Sequence, residues 1–341
     1  MGGEVSLVVN RVPERAWREF LGGEPGATVY HTPEWKRVLE RSFGYRPYYL
    51  FAVDDAGDVR GLLPMVLVRS RLFGARLSSL PLSHKCGYVG DPAFLPMVVE
   101  AALGLYAGRV KKGTVEIREG MGEPFLESRA FSTYVLELGP TVEETWRKLH
   151  RSVKRRIKQA ERAGVRVELS DDIGDLKEFY EINCRVKKTK GVPCHPLRFF
   201  RSILREMPEY SRLYVARVGG EIAGGGLMLY FGSTVIYGYG AAESRFLKHH
   251  PYHAFIWRAI EDAVREGFGY FDFGRVHSGN TGLAEFKRQW GTEKIPLTYS
   301  YYPKAPKLGG VRDKEWLKKL IGGMPMLLYR LGSDWIFGQV V

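Results

Sequence analysis

The sequence predicts an α/β protein with mixed sheets, and three observations carry that prediction. A helix-like segment followed by strand, turn and strand occurs twice, about 164 residues apart. A strand–helix–strand run extends the second copy, and a strongly basic helix joins the two halves. At 341 residues and 45% hydrophobic content the chain has enough apolar material for two cores.

The first copy begins at His31, Pro33, Glu34, Trp35, Val38 and Leu39. The second begins at His195, Pro196, Phe199, Phe200, Ile203 and Leu204. A strand follows each, 48–53 or 213–218. The next residues, Asp54-Asp55-Ala56-Gly57-Asp58 or Gly219-Gly220-Glu221, have hairpin chemistry because Gly and Asp tolerate unusual backbone angles. A second strand comes next, 59–65 or 222–228. A period this long marks duplicated domains, since solenoid repeats are much shorter.

Residues 234–240 alternate as a strand and carry Tyr239. In 254–264 the apolar residues Phe255, Ile256, Ala259, Ile260 and Ala263 have helical spacing, and Gly267 stops the helix. The strand 270–273 follows at once, which predicts a parallel crossover. It ends in Asp272, Gly274 and Arg275. A predicted loop then holds Lys287 between Phe286 and Trp290. Strand ends and their loops carry the chemistry of α/β sheets, and a cation fixed there can hold an oxyanion or a phosphate.

The connecting segment 141–164 reads as one helix, with a capping-box pair at Thr141 and Glu144 and a stop at Gly164. Trp146, Leu149, Val153, Ile157 and Ala160 form its apolar stripe. The other faces hold Arg147, Lys148, Arg151, Lys154, Arg155, Arg156, Lys158 and Arg162, and Glu161 is the one acid between Arg147 and Arg162. Like charges a turn apart repel, so the face reads as a phosphate-binding surface, for which Arg is well suited. The net charge of +13 points the same way, towards RNA, phosphorylated substrates or acidic lipid.

The three cysteines, Cys86, Cys184 and Cys194, lack C-x-x-C spacing, which argues against a disulfide frame or a zinc site. His249 and His253 have metal-like i, i+4 spacing, but Pro251 lies between them and no thiolate or carboxylate completes a set; no metal is expected. No signal peptide is read at the start, and the best apolar run, 97–107, is too short to span a membrane and contains Glu100. The expected place is the cytoplasm, with peripheral membrane contact left open.

The Trp35 docking segment, the K-R-R-I-K-x-A-E-R-x-G-V block, the F-D-F-G-R strand end and F-K-R-Q-W-G together resemble the FemABX-related family, over residues 28–302. That resemblance implies two tandem GNAT-like acyltransferase domains and transfer of an acyl group, often from aminoacyl-tRNA, onto an amine. It makes Lys287 the candidate oxyanion holder, with Asp272 as a second catalytic candidate that orients the amine or pairs with Arg275. It assigns Arg155, Arg156 and Lys158 to substrate phosphates or a tRNA end; Arg151, Tyr239, Arg275 and Trp290 complete the candidate substrate-binding set. The implied domains are 1–140, the basic connecting helix 141–164, 165–302, and a basic, apolar tail 303–341.

Two departures bear on the donor. Acetyl-CoA enzymes of this fold cradle pyrophosphate on a glycine-rich loop, whereas this chain has Lys248-His249-His250-Pro251-Tyr252-His253 there. Proline removes an N–H donor. No Glu/Lys-rich helical hairpin is inserted in the second domain, which puts aminoacyl-tRNA and peptidoglycan in question. The expected donor is aminoacyl-tRNA or another activated acyl compound, ranked above acetyl-CoA, with no tightly bound cofactor. The expected acceptor is a phosphate-bearing or lipid-linked amine. In the tail, 303–310 reads as a linker, 314–321 as a helix, and 324–331 and 335–341 as apolar surface. It is either a basic anchor for an anionic membrane or a segment packed back on the domains. Two rival readings remain: a non-catalytic RNA- or polymer-binding protein, and a CoA-dependent N-acetyltransferase with an altered loop.

Overall fold

A computed structural model describes residues 5–70, 74–110, 113–305 and 321–340. The chain forms two compact units: Met1–Ala130 with Leu297–Leu308 and Trp335–Val341, and Phe131–Pro296 with Gly309–Asp334.

The first unit contains β1 (Val5–Val9), α1 (Glu14–Gly23), α2 (Pro33–Phe43), β2 (Arg46–Asp54), β3 (Val59–Ser70), β4 (Gly74–Ser78), β5 (Val89–Gly90), α3 (Leu95–Arg109) and β6 (Gly113–Ile117). Antiparallel pairing runs from β1 through β2 and β3 to β4, and β4 pairs in parallel with β6. Leu50, Leu63, Met65, Val98, Ala102 and Ile117 meet in its core.

The second unit starts along β7 (Leu126–Glu137) and continues with α4 (Val142–Lys148), α5 (Arg151–Arg162), β8 (Arg166–Ser170), α6 (Ile173–Thr189) and α7 (Leu197–Glu206). Then come β9 (Ser211–Val218), β10 (Glu221–Phe231), β11 (Thr234–Ala242), α8 (Pro251–Arg265), β12 (Tyr270–Asp272), β13 (Val276–His277) and α9 (Thr281–Arg288). The next strand, β14 (Glu293–Tyr302), pairs with β6 through Ser300–Tyr302, and the last described helix is α10 (Met326–Val340). The sheet order is β8, β9, β10, β11, β12, β7; β11 and β12 are parallel, as the strand–helix–strand pattern predicts.

Both units contain the run helix, three strands, helix, strand, α2-β2-β3-β4-α3-β6 and α7-β9-β10-β11-α8-β12, with the two-residue β5 inserted before α3 in the first. In both, a helix connects the two parallel strands. Hairpins need only a tight turn, but parallel pairing requires such a crossover.

Three features of the joining region differ from the sequence reading. The contact boundary falls at Ala130, not at residue 140, because β7 pairs with β12 and β13. The segment 141–164 forms two helices broken at Leu149 and His150, where the His150 side chain accepts from Ser152 N–H. It is also an internal part of the second unit: Leu149, Val153 and Ile157 share a core with Phe255, Ile256, Ala259 and Ile260. The apolar stripe supplies the reason, since burying it on α8 removes it from water. The expected stop is present, Gly164 taking φ +72° while Val165 N–H donates to Ala160 O.

Most of the predicted linker and nearly all of the helix at 314–321 lie outside the described residues. In α10, Tyr329 and Ser333 are buried, whereas Leu327, Leu328 and Leu331 are exposed. Among the described residues no helix is long and apolar enough to cross a membrane.

If α5 docks through its stripe, Ile157→Ala lowers the unfolding free energy by about 2–5 kcal/mol. Arg155→Ala on the exposed face changes it by less than about 0.5 kcal/mol. Urea titrations of both variants check this; equal losses would contradict it.

Candidate active site

Lys287 lies on α9, not in a loop; Asn280 starts this helix by accepting from Leu283 N–H. The side chain points inward and is only 4% exposed. Its ammonium donates to Phe273 O and, at 2.7 Å, to Gly274 O, the two carbonyls just past the end of β12. Main-chain carbonyls at a strand end have lost their ladder partners and need donors when buried. Lysine has three N–H donors, so two hold the helix to the strand end and one remains for another acceptor. Burial pulls Lys287 from its usual 10.5 to about 8, with Asp272 opposing the change.

Asp272 is buried beside this contact. It accepts from the Thr133 hydroxyl and, at 2.7 Å, from Gly274 N–H. It therefore shapes the turn in which Gly274 takes φ +71°, a conformation that favours glycine. Arg275 follows with an exposed side chain, its guanidinium 4.9 Å from the centre of the Phe131 ring.

Trp290 is fully buried and stacks on His253 of α8, with centroids 5.7 Å apart and planes at 19°. Phe273 and Phe286 also pack against it. Neither His253 ring nitrogen, nor Trp290 Nε1, has a hydrogen-bond partner among the described residues. Burial, reinforced by Arg156 and His250, pulls His253 down to about 3 and keeps it neutral. Gly291 closes the motif at φ +77°, so near the main chain that a Cβ would lie 2.5 Å from Lys148 O. The last residue of F-K-R-Q-W-G is fixed by that approach.

Gln289 joins α9 to α5: its Oε1 accepts from Ser152 Oγ at 3.0 Å and Arg156 at 3.3 Å, and its main-chain oxygen accepts from His150 N–H. Arg151, Lys154, Arg155, Lys158 and Arg162 line a groove of about 450 Å³ together with Trp146 and Gln159. Among the described residues none of these five cations has a carboxylate within ion-pairing distance. By contrast, Lys148 meets Glu137 at 3.7 Å.

Of the sequence-chosen residues, the structure brings Lys287, Asp272 and Trp290 together and gathers Arg151, Arg155 and Lys158 in the groove. Arg156 turns towards Gln289. Tyr239 lies elsewhere, in an aromatic cluster with His195, Phe199 and Phe200. A register shift in the β10–β11 ladder at Gly238 separates it from Tyr237, which packs on Phe255 and Phe273 instead. Thr133, Ser152, His253 and Gln289 were not chosen from the sequence. Gln289 was visible within F-K-R-Q-W-G, whereas Thr133 is 139 positions from Asp272 and had no local signal.

Residues 147–288 match the acetyltransferase (GNAT) domain family. Among solved structures, FemX superposes with a TM-score of 0.67 at 16% identity, covering 86% of this chain and 96% of FemX. L-PGS from Bacillus licheniformis gives 0.56 at 12% identity, covering 97% and 98%. A tandem GNAT protein from the clavulanic acid biosynthesis pathway gives 0.53 at 12% identity, covering 87% and 98%. Among curated proteins none matches this chain by sequence. The class is thus an acyltransferase with a GNAT domain, built on the tandem GNAT fold. Over 86% of the chain the fold is similar to that of FemX, as the resemblance to the FemABX-related family implied.

A depressed lysine makes stability depend on pH. Between pH 8 and 10.5 the unfolded chain binds more protons at residue 287 than the folded one, so this contribution grows as pH rises and is lost as pH falls through 8. The difference in unfolding free energy between the wild type and Lys287→Met should therefore change by about 3 kcal/mol across that window. Denaturant titrations at several pH values check it, and a flat difference would show an unshifted lysine.

Proposed function

We propose that this chain moves an acyl or aminoacyl group onto an amine of a phosphate-bearing acceptor. The observation that carries this reading is the α5 groove, where five cations face one open volume without counter-charges among the described residues. Phosphate groups fit it because Arg binds their oxygens in bidentate pairs. Arg151, Arg155 and Lys158 would hold phosphates of the acceptor or of a tRNA end. Arg156 would act from beside Gln289, and the exposed Arg275 would meet substrate past the strand end. Trp290, fully buried, would hold α9 in place, and Tyr239, in its separate aromatic cluster, is given no part in this reading.

In the reaction the amine nitrogen attacks the acyl carbonyl carbon, and the carbonyl oxygen becomes an oxyanion. The uncommitted N–H of Lys287 is the donor assigned to that charge, with Asp272 fixing the turn that sets the lysine's position. The tetrahedral intermediate collapses as the leaving group departs, and the amine's proton passes to that group through substrate or solvent. The preferred donor is aminoacyl-tRNA or another activated acyl compound. Acetyl-CoA ranks lower because α8 starts at Pro251, which has no N–H, while His253 and Ala254 N–H both donate to His250 O. Few main-chain donors are left there for a pyrophosphate. The likeness in fold to FemX and L-PGS supports a lipid-linked acceptor, and contact of α10 with a membrane belongs to the same proposal.

Transfer from labelled aminoacyl-tRNA and acyl-CoA donors to amine acceptors, with and without phosphate, tests the reading. Lys287→Ala should lower kcat about 10²–10³-fold with an unchanged circular dichroism spectrum; wild-type turnover would remove Lys287 from the chemistry. Arg155→Glu and Lys158→Glu should raise KM for the phosphorylated partner and flatten its salt dependence by about one unit of slope per lost contact. Tight acetyl-CoA binding by calorimetry would overturn the donor ranking. Steep, salt-sensitive RNA binding without transfer from any donor would favour the non-catalytic reading.

A further inference from the structure

Two of the three cysteines meet inside the second unit. Cys184 on α6 and Cys194 in the segment leading into α7 are ten positions apart, with their sulfurs 2.8 Å from each other and both side chains sealed from water. An S–S bond of roughly 2.05 Å is a small side-chain rotation away. The surroundings fix this approach: Cys194 N–H donates to the Ser333 hydroxyl at 3.3 Å, and the Tyr329 hydroxyl donates to Val192 O at 2.7 Å. The two sulfurs are also chemically unequal. The hydrogen bond from Cys184, joined by one from Ser333, holds the Cys194 thiol below its ordinary pKa. Hydrogen bonding to Cys194, together with burial, pushes Cys184 up. The thiolate is the reactive form, so Cys194 is the nucleophile and Cys184 the resolving thiol. Cys86 lies in the first unit, with its sulfur 3.7 Å from His31 Nε2 and its pKa raised by burial.

We propose that Cys184 and Cys194 are an oxidative modification site, closing to an internal disulfide when a small peroxide reaches them. Hydrogen peroxide is small enough to enter through ordinary local opening. The Cys194 thiolate attacks one peroxide oxygen, forming a sulfenic acid and releasing hydroxide. The Cys184 sulfur then attacks the Cys194 sulfur, forming the S–S bond and expelling the hydroxyl, which leaves as water with the Cys184 proton. Two thiols lose two electrons, and the peroxide becomes two waters. The bond staples α6 to the turn before α7. It also fixes the neighbouring His195, which stacks on Phe199 and meets Tyr239 at 5.0 Å.

The test uses the full-length protein treated with equimolar hydrogen peroxide, then unfolded, alkylated and mapped by peptide mass spectrometry. A linked peptide containing Cys184 and Cys194, with alkylation confined to Cys86, is expected. The oxidised protein should melt on the order of 5 °C higher than the reduced one. In Cys184→Ser that gain should vanish, and Cys194 should be trapped as a sulfenic acid by dimedone. Alkylation of all three cysteines, a link through Cys86, or sulfinic acid at Cys194 of the wild type would overturn the proposal. An equal melting gain in Cys184→Ser would do so too. The peptide map of the wild type decides the matter even where the variant fails to fold.

Discussion

The candidate site depends on one contact, the buried ammonium of Lys287 against the carbonyls of Phe273 and Gly274. Those carbonyls lie where β12 has ended, so no strand can satisfy them, and water is excluded. A lysine from the next helix satisfies both at once and fixes α9 over the sheet's end. Everything the motif carries follows from that position. Trp290 is set beneath His253, Gln289 reaches Ser152 and Arg156, and Gly291 closes on Lys148. Asp272 supports the same turn by binding Gly274 N–H and the Thr133 hydroxyl.

The cations of the second unit stand in two opposite situations. Lys287 is taken out of water, which disfavours its charge and moves its pKa towards neutrality. Those of the α5 groove remain largely in water, where solvent screens their mutual repulsion. Burial of Val153, Ile157 and Ala160 holds that helix in place whatever its outer face carries. A binding surface can therefore be maximally basic there without unfolding its scaffold. A buried cation tuned towards neutrality and an exposed cluster suited to phosphate are different tools, and the proposed transfer to an amine of a phosphate-bearing acceptor would use both.

The duplicated architecture was legible because its signals are local. Hairpin turns, helical spacing in 254–264 and a capping Thr141 are written in adjacent residues. Elements without local contrast were missed. Helix α3 is apolar nearly all round, so its sequence shows no amphipathic period and read only as a short apolar run. Helix α9 is a bare eight residues and read as a loop. The break at Leu149 and His150 interrupts no periodicity, because the apolar stripe runs straight through it.

By itself the sequence determined the class of this protein: two α/β units, a basic helical face, and a strand end followed by a lysine between aromatics. Each rests on a pattern within one or two turns of chain. Tertiary structure decided what those residues touch. It placed Lys287 on carbonyls rather than in solvent, turned Tyr239 away from Tyr237 through a bulge, and brought Cys184 to Cys194. The reason is physical: periodicity says which face is buried, but the partner met there depends on packing between segments far apart in the chain.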